Sequence, residues 1–445
     1  MQGVLSSLKT SNRSWLVLAA SASVCLGVWH WAETILVPSN TAKVLATHRP
    51  IGNNSDLYAR WLGARELLLH GRDPYSPQVT RDIQTGFYGR PLDPLSPSDP
   101  REQESFVYPL YVVFLLAPTV PLPFPVVAEA FRWILLMSIA LSVPLWMYVV
   151  GFRVHWPVVV SAMLLAAGSN PAIAEYSQQN LTALVLLFLA AAAAGVVNHK
   201  LMLGGFMLAL STVKPDITLP VVLWLLAWAA WRRERRRLIW AFAAGMAILW
   251  AGAQAVSPGW MWRFLAAVRE YPSYGTDPSI LQVLFPPLLA KLALVALVVF
   301  VCAVCWRGRE AAAASDDFLW TLAVVTAVTL VVIPKLAAYN QLLLLPALLL
   351  LLRQQRQTSG LFARAFTKGA FTCQIWQWSA ALGLSILSLL LTPQRLFGLA
   401  QLPLYTSLAL SPLTLLAVIF ATVSRPQSIV SLAGPLPRVP GGQHE

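Results

Sequence analysis

Charge is what this chain has least of. Only 11% of its 445 residues are Asp, Glu, Lys or Arg, against roughly 25% in a soluble domain, so water cannot be its only solvent. Cysteine is scarce as well, with four residues. Cys25 lies in an apolar run and Cys373 in a basic loop, while Cys302 and Cys305 have CxxC spacing on an apolar stretch with no second pair to complete a zinc site. The six histidines have no metal-ligand spacing. HExxH, a Walker lysine, a nucleotide glycine fingerprint and a Gly-x-Ser-x-Gly elbow are all missing. Neither a bound metal nor a nucleotide cofactor is expected.

What the chain has instead is apolar sequence: 57% of it is hydrophobic and its mean hydropathy is +0.63. Apolar runs of roughly 17 to 25 residues recur between Trp15 and Val423, each long enough for a hydrocarbon core. Backbone polar groups inside lipid must be satisfied internally, which leaves helices or closed barrels. Continuous Leu, Ala and Val without strict alternation argue for helices. The fold class expected is an all-α polytopic membrane protein.

The net charge of +13 lies in loops between apolar runs, chiefly Trp231 to Arg237 and Arg353 to Lys368. Such loops fix orientation through the positive-inside bias and give no reason to expect nucleic acid as a partner. With the basic loops placed inside, the first helix (Trp15 to Val37) exits outward and does not read as a cleaved signal. The proline-broken piece Phe106 to Pro121 is too short to cross and reads as re-entrant. About twelve crossings result. Residues 1–424 form a single integral-membrane domain, its external loop 38–124 carrying polar chemistry, and 425–445 form a flexible cytoplasmic tail.

This threading gathers unusual polar residues on the outer side, where charged groups near membrane depth usually face a cavity or a partner. Ser55 to Pro77 opens with Asp56. Asn54, Ser55 and Asp56 suit a helix N-terminus, and Asp56 and Arg60 have the i,i+4 spacing of a surface ion pair. Leu57, Trp61, Ala64 and Leu68 share one face, as an interfacial helix requires. Gly71-Arg72-Asp73-Pro74-Tyr75 ends that helix, with Arg72 and Tyr75 able to line a site. Gln178, Gln179 and Asn180 precede another helix, as caps or as donors and acceptors for a hydroxyl-rich substrate. Lys214, before Pro215, either snorkels to headgroups or binds a phosphate; Lys335, beside Pro334, poses the same choice. Glu175, Tyr339 and Asn340 fall on the same side. Trp29, Trp31, Trp260 and Trp262 read as interfacial belt residues.

The order of these pieces resembles a known family. Asp56-Leu57-Tyr58 is followed by Leu68 to Tyr75 (Leu-Leu-x-Gly-x-x-Pro-Tyr) and Phe106 to Pro109 (Phe-x-Tyr-Pro). Then come Gln179-Asn180, Lys214-Pro215, and Tyr339 ahead of Pro346. This is similar to the polyprenyl-phosphate-mannose-dependent alpha-mannosyltransferases of the GT-C superfamily, from about Trp15 to Arg353. The resemblance implies a GT-C-like bundle with external amphipathic or re-entrant helices in a cell inner (plasma) membrane, its active site facing the periplasm or exterior. It implies an inverting glycosyltransferase that moves a sugar, with mannose expected, from a polyprenyl-phosphate donor to a lipid or glycan acceptor. Asp56 matches the catalytic base. Lys214, Arg72, Lys335, Tyr75, Gln179, Asn180 and Tyr108 are the expected substrate-binding residues. The rival expectation is a lipid-linked sugar transporter or flippase, which predicts inverted repeats and ionisable residues at helix midpoints.

Overall fold

A computed structural model describes residues 11–45, 52–53, 55–93, 96, 99–100, 102–274, 278–333, 337–355 and 360–425. Among the described residues there are helices and turns but no strand. The chain opens with α1 (Ser11–Trp31), which continues through a π-helical turn (Ala32–Leu36) into α2 (Val37–Leu45). The polar segment carries α3 (Asp56–His70), α4 (Pro77–Tyr88) and α5 (Val112–Leu116). Next are α6 (Phe124–Val149), α7 (Trp156–Ala167), α8 (Asn170–Gln178), α9 (Thr182–Val197), α10 (Leu201–Ser211) and α11 (Pro215–Trp231). The second half holds α12 (Arg236–Val256), α13 (Trp260–Tyr274), α14 (Ile280–Leu284), α15 (Pro287–Gly308) and α16 (Asp316–Val332). A 3-10 turn (Ala338–Leu344) leads into α17 (Leu345–Gln354), followed by α18 (Leu361–Ser388) and α19 (Ser407–Val423).

Among the described residues, five stretches are long and apolar enough to cross a membrane: Asn12–Lys43, Phe124–Val149, Arg233–Val256, Pro287–Gly308 and Pro393–Val423. A sixth is possible if α7 and α8, bent by 57° at Gly168, form one broken span. Twelve crossings were expected, and the difference has a physical cause. The apolar run ending near Lys214 yields only the 11 residues of α10, about 17 Å at 1.5 Å per residue. Thr212 to Lys214 then turn before α11, whose Pro215 suits a first helical position. Apolar composition persists where the helix does not. The expected re-entrant piece is a five-residue helix, α5, and a 3-10 turn over Ala117–Thr119, too short to cross alone.

Close backbone approach holds the helix layers together. α10 packs on α12 and α9, α6 on α9, α1 on α7 and α18, and α16 on α19. At Gly205 an added Cβ would meet the Leu238 carbonyl oxygen at 2.4 Å and Phe242 nitrogen at 2.8 Å. Those are backbone atoms that no rotamer change can move, so the α10–α12 contact depends on the missing side chain, as small residues allow between apolar helices.

α3 departs from the expected interfacial helix. Leu57, Ala59, Arg60, Trp61, Leu62, Gly63, Ala64, Glu66 and Leu67 are all buried, which surrounds the helix rather than covering one face. Gly63 admits the ring of Phe106, whose Cδ2 would lie 2.4 Å from a Cβ there. The belt reading fails at two tryptophans for the same reason: Trp31 and Trp260 are buried in the interior, while Trp262 is exposed. Trp31 donates its indole N–H to the Ala400 carbonyl at 3.2 Å.

Candidate functional site

The start of α3 is fixed from outside the helix. Ser55 occupies the N-cap position in extended conformation but makes no capping bond; its hydroxyl donates to Gln179 Oε1 at 2.6 Å. Gln179 closes α8 in the left-handed region at φ 56° and donates its amide to the Ala128 carbonyl of α6. One glutamine therefore pins α3 between α6 and the α8–α9 turn, its oxygen and its amide nitrogen each engaged by a protein partner.

Asp56 is half-buried and meets residues from two distant segments. Asn180 Nδ2 donates to Asp56 Oδ2 at 2.7 Å, and the Tyr339 hydroxyl donates to the same oxygen at 3.3 Å. Behind Asn180 stands Lys214, 3% exposed. Its ammonium donates to Asn180 Oδ1 at 2.8 Å, Thr182 Oγ1 at 2.8 Å and Asn340 Oδ1 at 3.0 Å, and it lies 4.7 Å from the Tyr339 ring centre. An ammonium has three N–H groups, and all three are used. The consequence is directional. Because the lysine claims the Asn180 oxygen, the Asn180 NH₂ must face Asp56, and Asp56 Oδ1 is left without a donor among the described residues. Lys214 and Asp56 thus stand at the two ends of one amide.

Arg60 is not the surface partner its spacing suggests. It is 2% exposed and turns from the Asp56 carboxylate, donating instead to the Asp56 backbone carbonyl and to the Tyr108 hydroxyl. Its guanidinium carbon sits 4.0 Å over the Tyr108 ring. The Arg60 Nε–H has no partner, and among the described residues no carboxylate pairs with this cation. Tyr75 buttresses the same corner by donating its hydroxyl to the Tyr108 carbonyl at 2.6 Å. Burial, and then the nearby Asp73 carboxylate, push the Tyr75 phenol above its ordinary range, so it stays a neutral donor. Glu175, fully buried, accepts from the Ala183 N–H at 2.9 Å through Oε1, while Oε2 has no hydrogen-bond partner among the described residues.

Arg72 is committed elsewhere. It donates to Glu66 Oε2 at 2.6 Å and to Asp82 Oδ2 at 2.8 Å, just after Gly71 closes α3 in the left-handed region at φ 65°. Burial pushes the Glu66 carboxyl up, but the Arg72 hydrogen bond and charge, aided by His70, outweigh it and hold the group below the usual range. A carboxyl depressed in the folded state stabilises above its unfolded pKa of roughly 4.3, and that contribution disappears as pH falls through the folded value. Melting curves of Glu66→Gln and wild type should therefore differ most near pH 7 and converge below about pH 4. A gap that widens with acid would contradict this assignment.

Of the expected residues, Asp56, Asn180 and Lys214 form one network, Tyr75 and Tyr108 form the adjoining corner, Gln179 secures the helix start, and Arg72 faces Glu66. Lys335 and the tail from residue 426 onward lie outside the described residues. Thr182 escaped the sequence reading because a threonine opening an apolar helix gives no signal. Tyr339 carries part of the family resemblance and Asn340 reads in the sequence only as a polar residue of the outer side; neither is read there as a partner of Asp56 or Lys214, and the signal for Asn340 is its position just ahead of an apolar helix, as with Asn180. Among the described residues no group of three or more His, Cys, Asp or Glu could hold a metal. No family model, curated protein or solved structure matches the chain.

Proposed function

We propose that this protein is an inverting glycosyltransferase, moving a sugar from a polyprenyl-phosphate carrier to a hydroxyl of a lipid or glycan acceptor at the outer face of an inner or plasma membrane. The observation that carries this reading is the Asp56 carboxylate: one oxygen is held by two donors, and the other is left for substrate. Asp56 Oδ1 takes the proton of the acceptor hydroxyl as its oxygen bonds to the anomeric carbon from the face opposite the carrier. The bond between that carbon and the phosphate oxygen breaks, its electron pair leaves with the phosphate, and the configuration inverts. General-base help of this kind is worth roughly 10²–10⁴ in rate. Mannose as the sugar, and about twelve crossings with the shorter helices counted as partial spans, belong to the same proposal through the resemblance stated above.

Charge growing on the departing phosphate needs a positioned cation. Lys214 has no N–H to spare, and Arg72 is paired with two carboxylates. We assign the role to Arg60, whose guanidinium lacks an anionic partner beside Asp56, with Lys214 adding its charge from behind Asn180. Tyr108 presents the stacked ring that holds the guanidinium in place.

The test is transfer from radiolabelled polyprenyl-phosphate sugars into acceptors by the purified chain in liposomes. Product formation, lost in Asp56→Asn, is the expected result; facilitated movement of the intact carrier without transfer overturns the reading in favour of a flippase. Arg60→Gln should raise the donor KM by roughly ten- to a hundredfold, the worth of a charged hydrogen bond. An unchanged KM would return the phosphate to another cation.

A further inference from the structure

A second candidate binding place lies away from Asp56, where α14, α15 and the end of α16 meet. A cleft of 510 Å³ opens there between Leu281, Phe285, Pro287, Leu294 and Val332, with Lys291 on its wall. Among the described residues no hydrogen bond or ion pair joins this lining to the Asp56–Asn180–Lys214 network. The polar side chains at its rim are already engaged: Ser279 Oγ accepts from the Gln282 N–H at 3.3 Å, and Gln282 Oε1 accepts from the Ser279 N–H at 2.8 Å, a closed capping box. Lys291 is different. It is exposed and has no ion pair or hydrogen bond with the described residues.

The setting decides what such a cleft can take. α15 is the most apolar of the five candidate spans, and only 11% of its most apolar stretch is buried, so its flank faces the membrane rather than protein. Leu284, Phe285, Leu288 and Leu289 continue that apolar surface at the helix start. Lys291 is the fifth residue of α15, about 6 Å along its axis, so its ammonium can reach the headgroup level. A cation inside apolar surroundings is costly unless an anion or water meets it. Apolar walls of this volume, combined with a lysine that is unpaired among the described residues, match an apolar chain that carries a negative headgroup.

We propose that this cleft holds one molecule of anionic phospholipid, its phosphate at the Lys291 ammonium and an acyl chain between Leu281, Phe285 and Leu294. The phospholipid is favoured over the sugar carrier because, among the described residues, no hydrogen bond or ion pair links the cleft to the network around Asp56. The inference is independent of the transfer reading.

Native mass spectrometry of the delipidated full chain in detergent tests it, with phosphatidylglycerol and phosphatidylcholine of the same acyl chains as probes. Wild type should retain a single phosphatidylglycerol in preference to phosphatidylcholine. Lys291→Gln should reduce that preference about fivefold, the weight of one lysine at an anionic surface, and Lys291→Arg should keep it. Leu294→Trp, which fills the cleft without touching the charge, should lower retention of both lipids. Equal retention by wild type and Lys291→Gln overturns the proposal. So does displacement of phosphatidylglycerol by an equimolar polyprenyl phosphate, which would make the cleft a carrier site.

Discussion

Asp56→Asn is expected to give a folded protein, melting close to wild type, whose rate of sugar transfer falls on the order of 10²–10⁴. The network that orients the acid explains why the amide fails. Asn180 Nδ2 and the Tyr339 hydroxyl both donate to the Oδ2 position, so an asparagine here would turn its oxygen toward them. Its NH₂ group would then occupy the place of Oδ1. A substrate hydroxyl arriving there would meet a donor where it needs an acceptor. Initial rates with donor and acceptor saturating, together with a melting curve, make the measurement. Transfer at the wild-type rate would remove Asp56 from the chemistry.

Lys214→Met should do damage of another kind, to folding and to activity together. The ammonium is the shared donor for Asn180, Thr182 and Asn340, and losing it leaves buried acceptors unmet at about 1–3 kcal/mol each. Some of that cost is recovered, because the Thr182 hydroxyl already lies 3.2 Å from Asn180 Oδ1 and 3.3 Å from Asn340 Oδ1. A net loss of roughly 2–5 kcal/mol is expected, read as a lower midpoint of thermal unfolding in detergent. The surviving folded fraction should also transfer poorly, since the Asn180 amide that holds Asp56 Oδ2 loses the ammonium that anchors its oxygen. Wild-type stability in Lys214→Met would mean that the three acceptors find other donors, and the account of the network would fail.

How legible this was in the sequence depends on whether the signal was local. Gly71 before Arg72-Asp73-Pro74 announces the end of α3, and the structure closes the helix there, the Gly71 N–H donating to the Leu67 carbonyl and the Arg72 N–H to Glu66. The all-helical character followed from apolar runs without alternation. Which runs form one long helix did not, because composition measures how apolar a run is and not whether its helix continues. Asn180 shows the same limit at the site. Ahead of an apolar helix it looks like a cap, but Leu181 holds the cap position without a side-chain bond, and Asn180 reaches across to α3. Arg60 is the converse case: the i,i+4 spacing to Asp56 is real, yet Tyr108 supplies a ring that draws the guanidinium away from the carboxylate. Local spacing says what two residues can do; a third residue from elsewhere decides.

The distance along the chain between the partners has an implication for biosynthesis. Tyr339 and Asp56 are 283 residues apart, and Asn340 is 126 residues beyond Lys214. During synthesis the lysine is made long before its last acceptor, so a nascent chain halted ahead of Asn340 holds an ammonium that its own neighbours cannot fully solvate. A ribosome-bound intermediate should therefore keep that helix junction wet and loosely docked, and the Asp56–Lys214 network should come into being only when the final third of the polypeptide arrives.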